Sequence, residues 1–198
     1  NWKKEYEEIK VPENMKERME ASIARAKKDK RKVKKVKFEI ETKAGIIPVL
    51  IDKDVIINMG KINITPKKIP VITDKNIFIN EDIYVAGERF KTTCLSVGNP
   101  HAVSFVDNVD NINLKEIGPY FEMHYLFPER VNVNFVQIIN EDAIKIKTWE
   151  RGVGEVLSCG SGACASVGAA ILSHKLDQNK IIEVASKGGA VMIRVAIV

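Results

Sequence analysis

Trp149 to Ala170 reads WERGVGEVLSCGSGACASVGAA. Cys159 stands among glycines and small residues, directly before an apolar, helix-forming run. A helix that begins around Ser161 and Gly162 and ends near His174 puts Cys159 immediately outside its first turn. The first N–H groups of a helix have no partner inside it, and together with the helix dipole they make an anion site. Gly160 and Gly162 carry no Cβ and let a ligand come close to the backbone. The same field is expected to stabilise a thiolate and draw the thiol pKa below its free value of about 8.5. The turn can therefore hold a carboxylate and tune a thiol for acid–base work. Cys164, one turn along the helix, and Cys94, in KTTCLSVG, read instead as small core residues.

Three further stretches supply partners for such a thiol. GNPHAV, Gly98 to Val103, sets Asn99 and His101 beside a proline turn after a strand. RVNVNF, Arg130 to Phe135, alternates, so Asn132 and Asn134 share one strand face while Val131 and Val133 take the other. WERG places Glu150 and Arg151 just before the cysteine loop. Arg forks a carboxylate bidentately, Glu receives an ammonium, and Asn suits either. Together they describe a pocket for a zwitterion next to a thiol.

The rest of the chain reads as α+β. From Phe38, VKFEIETKAGIIPVLIDKDVIINMG alternates and then runs apolar, with turn signals at Ala44-Gly45, Asp52-Lys53 and Gly60. Strands are predicted over Ile77–Tyr84, Arg89–Ser96, His101–Val106, Val131–Ile139 and Ala143–Trp149. A helix capped by Asn113 carries Leu114, Ile117, Tyr120 and Phe121 on one face. The tail forms a hairpin turning at Lys187-Gly188-Gly189. The sum is many short strands wrapped around one buried, small-residue helix.

The 198 residues are enough for one domain with a real core. The net charge of +5 suggests nucleic acid at first sight, but residues 1–37 carry 14 Lys and Arg against 7 Asp and Glu. The basicity belongs to this leading segment, whose Lys run has no interleaved aromatics for base stacking. Residues 12–29 are helix-prone, with Met15, Met19, Ile23 and Ala26 in a thin stripe. The chain divides into a basic, partly helical extension, 1–37, and a body, 38–198. No apolar run is long enough to span a bilayer. NWKKEYEEIK lacks the apolar core of a signal peptide, and Asn1 in place of Met suggests an excised or incomplete piece. Three cysteines without disulfide-scaffold density or zinc spacing read as reduced thiols in a cytoplasmic protein.

GNPHAV, FPERVNVNFVQI, WERGVGEVLSCGSGACAS and SKGG, in that order, resemble the second half of the diaminopimelate epimerase family, and ETKAGIIPV…INMG resembles the opening of that half. The resemblance runs from Phe38 to Met192. It implies one lobe of the diaminopimelate epimerase-like fold and a cofactor-independent two-base reaction, LL- to meso-diaminopimelate, with one cysteine from each lobe. Cys159 matches the second-lobe base. His101 and Glu150 match the polar residues beside the active thiols. Asn99, Asn132, Glu150, Arg151, Gly160 and Ser161 match positions that bind the substrate's ammonium and carboxylate groups. No metal and no cofactor is implied.

The family's first lobe, with its GNDF-like opening and CGNGxRC-like loop, has no counterpart in the sequence. Two functions follow. In one, the chain is an epimerase polypeptide that works only with a first lobe from elsewhere, such as a separate chain or another part of a longer gene product. In the other, it is a non-catalytic single-lobe module that binds an amino acid or a protein.

Overall fold

β-Branched residues alternating with polar ones give strands, and the computed structural model, which describes residues 35–42, 45–51 and 54–196, places them close to expectation. The helix expected over 12–29, and turn positions Ala44, Asp52 and Lys53, lie outside the described residues. The described residues fall into two compact units that divide between Asn58 and Met59.

The first unit holds an antiparallel three-stranded sheet: β1 (Val36–Thr42), β2 (Gly45–Ile51) and β3 (Val55–Ile57), in that order. Its register pairs Phe38 with Val49 and Ile40 with Ile47. Val36, Phe38 and Ile40 share one face and stay exposed, as do Val55 and Ile57.

The second unit is built on one mixed sheet. Its strands are β4 (Glu81–Val85), β5 (Glu88–Ser96), β6 (Pro100–Phe105), β7 (Asn132–Asn140), β8 (Ala143–Glu150), β9 (Gly154–Val156), β10 (Ile181–Ser186) and β11 (Gly189–Arg194). The spatial order is β11-β10-β8-β7-β6-β5-β4. β9 pairs with the Thr148–Glu150 end of β8, and β10 with its Ala143–Lys145 end. Two neighbour pairs are parallel, β6 with β7 and β8 with β10. Parallel neighbours need a crossover, and each crossover carries a helix: α1 (Leu114–Glu122) between β6 and β7, and α2 (Gly160–Leu172) between β8 and β10.

The two helices cover opposite faces of the sheet, because side chains alternate along each strand. Phe90, Cys94, Ala102, Val133 and Phe135 pack with Leu114, Ile117 and Phe121 of α1. Leu95, Val103, Val136, Ile144 and Ile146 pack with Ala163, Val167 and Ala170 of α2. α2 is buried nearly all round, and its small residues let it lie close on the sheet. Polar residues of the second face, His101, Asn134 and Thr148, sit toward the end where α2 begins.

Several details differ from expectation. β4 begins at Glu81 rather than Ile77; residues 77–80 are irregular, with Phe78 buried and its carbonyl accepting the Cys94 N–H at 2.8 Å. Tyr120 is exposed while Leu114, Ile117 and Phe121 are buried, because at about 100° per residue it lies well round the helix from Leu114 and Phe121. The Asn113 side chain does not cap α1; its Nδ2 donates to Glu116 at 3.2 Å. β9 has only three residues and was not foreseen. The tail hairpin forms as expected, with Ser186 paired to Gly189.

Candidate active site

Cys159 is the N-cap of α2, with extended backbone (φ −144°, ψ 113°). Its sulfur accepts the Gly162 N–H at 3.3 Å, the role an N-cap oxygen usually fills. The carbonyl of Cys159 accepts from Ala163 at 2.9 Å. The N–H groups of Gly160 and Ser161 point out of the first turn with no partner among the described residues.

The thiol is not acidified. Burial raises its pKa, and the hydrogen bond and charge of Glu150 raise it further; the Ser161 hydroxyl and the Gly162 N–H pull the other way without winning. The expected depression therefore does not occur, since desolvation of the thiolate outweighs the local donors. Cys164 is half-buried, and its thiol is pushed up to about 11 by burial and then by the neighbouring Cys159. Cys94 is fully buried in the α1-side core, which raises its pKa strongly.

A connected set of polar side chains leads to the thiol. Ser161 Oγ lies 3.5 Å from the Cys159 sulfur and accepts from Asn99 Nδ2 at 3.3 Å. Asn99 Oδ1 is 3.0 Å from His101 Nε2. His101 is fully buried, and burial followed by the Arg151 charge pushes its pKa down to about 3, so its ring is neutral. Its Nδ1 lies 3.0 Å from Asn134 Nδ2, and Asn134 Oδ1 accepts from Thr148 Oγ1 at 3.0 Å. A Cβ on Gly162 would stand 2.6 Å from Asn134 Oδ1. The glycine thus makes room for a side chain of the protein itself.

Asn132 also lies on this face, but both ends of its amide hold backbone: Nδ2 donates to the Pro100 carbonyl at 2.9 Å, and Oδ1 accepts the Arg151 N–H at 3.0 Å. It ties the Asn99 turn to the Glu150–Arg151 turn. The Arg151 guanidinium donates to the Glu129 carbonyl at 2.8 Å. Beneath that turn lies Glu122, at the end of α1, which is buried and accepts from Trp149 Nε1 at 2.7 Å, from the Gly152 N–H at 2.8 Å and from Arg130 at 3.4 Å. Gly118 lies flat against the Trp149 indole, where a Cβ would overlap the ring.

Every site residue expected from sequence therefore falls around the start of α2. Glu122 and Thr148 were not foreseen as parts of it. The alternation of RVNVNF had put Asn134 on the face of Asn132, but nothing local signalled its partner.

A sequence model of the family described as diaminopimelate epimerase matches residues 93–198, over half of the chain. The chain belongs to the diaminopimelate epimerase family. It is 44% identical over 163 residues to the diaminopimelate epimerase of Bacillus cytotoxicus, covering 79% of this chain and 57% of that one. With the enzyme of Acetivibrio thermocellus it shares 46% over 142 residues, covering 69% and 51%. The chain thus spans about half the length of the curated relatives it matches. Among solved structures it is similar to a hydroxyproline epimerase from Agrobacterium vitis, at a TM-score of 0.60 and 12% identity over 88% of this chain and 56% of that one. It is also similar to a probable proline racemase from Agrobacterium radiobacter, at 0.56 and 16% over 86% and 55%. These last two likenesses concern the fold alone, an α+β lobe shared by epimerases and racemases.

Proposed function

We propose that residues 38–198 are the second lobe of a diaminopimelate epimerase, preceded by a basic extension over 1–37, and that Cys159 is one of the two bases interconverting LL- and meso-diaminopimelate. The Cys159 thiolate takes the α-proton, and the electron pair is left on the α-carbon, delocalised into the carboxylate. A thiol on the opposite face returns a proton to that carbon, so that one sulfur ends protonated and the other ionised. No cofactor enters the step. The second thiol comes from a first lobe, whether a separate chain or another part of a longer polypeptide, or from a second copy, in the cytoplasm.

The observation that carries this reading is the thiol at the mouth of α2, beside two unpartnered N–H groups and the Glu150 carboxylate. Those N–H groups, with Ser161, suit the α-carboxylate and the charge that develops on it. By the family resemblance Asn99, Glu150 and Arg151 receive the ammonium and carboxylate groups of the substrate, and Asn132, whose amide holds the Pro100 carbonyl and the Arg151 N–H, fixes the two turns that carry them. A thiol of raised pKa, once ionised, is a stronger base, which favours removal of a weakly acidic α-proton. Glu150, adjacent to the sulfur, can accept the thiol proton to form that thiolate, and neutral His101 anchors the Asn99 amide.

The chain is incubated with LL-diaminopimelate in D₂O and the α-proton followed by NMR, with Cys159→Ala beside it. Exchange in the wild type that vanishes in the variant supports Cys159 as a working base. Exchange that persists in the variant rules it out. No exchange in either sample means the chain is not a catalyst by itself, and the assay is repeated with a first-lobe polypeptide added.

A further inference from the structure

The side chains leading to Cys159 come from four places in the sequence, and their atoms are arranged in one direction. An amide nitrogen only donates and an amide oxygen only accepts. Thr148 Oγ1 donates to Asn134 Oδ1. The same amide presents Nδ2 to His101 Nδ1, which must then be the unprotonated ring nitrogen. A neutral imidazole carries its proton on the other nitrogen, and Nε2 faces Asn99 Oδ1. Asn99 Nδ2 is thereby turned to Ser161 Oγ, which is left with its proton for the Cys159 sulfur.

We propose that Thr148 and Asn134 are positioning residues that hold His101 in its Nε2–H tautomer and so aim a one-way chain of donors at Cys159. Every link passes a donor toward the sulfur, which is the arrangement a thiolate needs. Reversing any one amide would reverse the links beyond it and leave Ser161 donating away from the sulfur. His101, Asn134 and Thr148 are all buried, so water cannot substitute for a lost link. Gly162 belongs to the same device, since any side chain there would displace the Asn134 amide. Protonation of His101 would break the chain at Nδ1, where a second N–H would face the Asn134 amide nitrogen; burial of the ring and the Arg151 charge both oppose it. The proposal rests on the assignment of Cys159 as a working base, but its test does not depend on turnover.

Long-range ¹H–¹⁵N correlation spectra of the full chain at neutral pH report the tautomer, with the His101 signals assigned by their loss in His101→Gln. The wild type is expected to show Nδ1 as an unprotonated, imine-type nitrogen and Nε2 as an N–H nitrogen. Thr148→Val should mix the tautomers and slow iodoacetamide labelling of Cys159, read by peptide mass mapping, about fivefold, as for the loss of one hydrogen bond to the thiolate. Thr148→Ser, which keeps the hydroxyl, should restore both. Asn134→Leu should do the same as Thr148→Val; if it fails to fold, the Thr148 pair carries the test. A wild-type proton on Nδ1 overturns the proposal, and so does a Thr148→Val protein with tautomer or labelling rate unchanged. If the tautomer and its loss are as expected while the wild type exchanges no α-proton of diaminopimelate even with a first-lobe polypeptide added, only the epimerase assignment falls.

Discussion

Burial holds the Cys159 thiol above its ordinary pKa, and the Glu150 carboxylate adds to this by hydrogen bond and by charge, while Ser161 and the Gly162 N–H oppose it. The signs separate by mutation. Glu150→Gln removes a negative charge and the acceptor that favours the protonated thiol, so the pH midpoint of Cys159 alkylation should move down. Ser161→Ala removes a donor to the thiolate, so the midpoint should move up. Peptide-mapped iodoacetamide rates between neutral and alkaline pH measure both; a Glu150→Gln midpoint that stays put or rises would show that the carboxylate does not act on this sulfur. The sequence made the position of Cys159 legible, because glycines around a thiol before a small-residue run have few other uses. Its pKa was not legible. It depends on burial of the thiol in the folded protein, which the residues of the loop do not themselves encode.

At the scale of elements, α1 and the β8–β9 turn are joined through Trp149. The indole lies on Gly118 and donates to Glu122, and the same carboxylate receives the Gly152 N–H of the turn that carries Glu150 and Arg151. Glu122→Gln turns one acceptor into a donor facing donors, which should cost about 1–3 kcal/mol. Gly118→Ala overpacks the ring and should cost about 1–3 kcal/mol. Urea unfolding monitored by tryptophan fluorescence measures each. Because both act through Trp149, the double variant should cost less than the sum of the two; additive losses would mean that the helix and the turn are held independently. Most elements were legible from their own residues: β5 to β8, the tail hairpin, and α2 within two residues at its start. Those that were missed lack a local signal. β9 is too short to show a period, and its pairing to β8 is set by the turn at Arg151 to Val153. Tyr120 follows Ile117 by three residues, yet it lies at the edge of the stripe, about 100° round the helix from Phe121, and stays exposed.

For the second unit as a whole, fold class followed from composition and alternation, but topology did not. Strand order depends on which strands become parallel neighbours, and both parallel pairs are created by helices crossing opposite faces. The β6–β7 crossover brings His101 beside Asn132 and Asn134, and that juxtaposition makes folding sensitive to acid. His101 is neutral and buried, with a pKa pushed down to about 3 by burial and then by Arg151. In the unfolded chain the ring titrates near 6.5. Below about 6.5 the unfolded chain takes up a proton that the folded one refuses, so this contribution to stability is complete above that pH and is lost as pH falls toward about 3. The loss is roughly 1.4 kcal/mol per pH unit within that window. His124, also lowered by burial, acts in the same direction. Urea midpoints for the wild type should therefore fall steadily from pH 6.5 to 4, with a shallower slope in His101→Gln, whose side chain cannot titrate. Equal slopes in the two proteins would mean that His101 takes up its proton without unfolding the chain. The donors around Nδ1 and Nε2 would then have to rearrange in the folded state, and the histidine could not keep a single tautomer at acid pH.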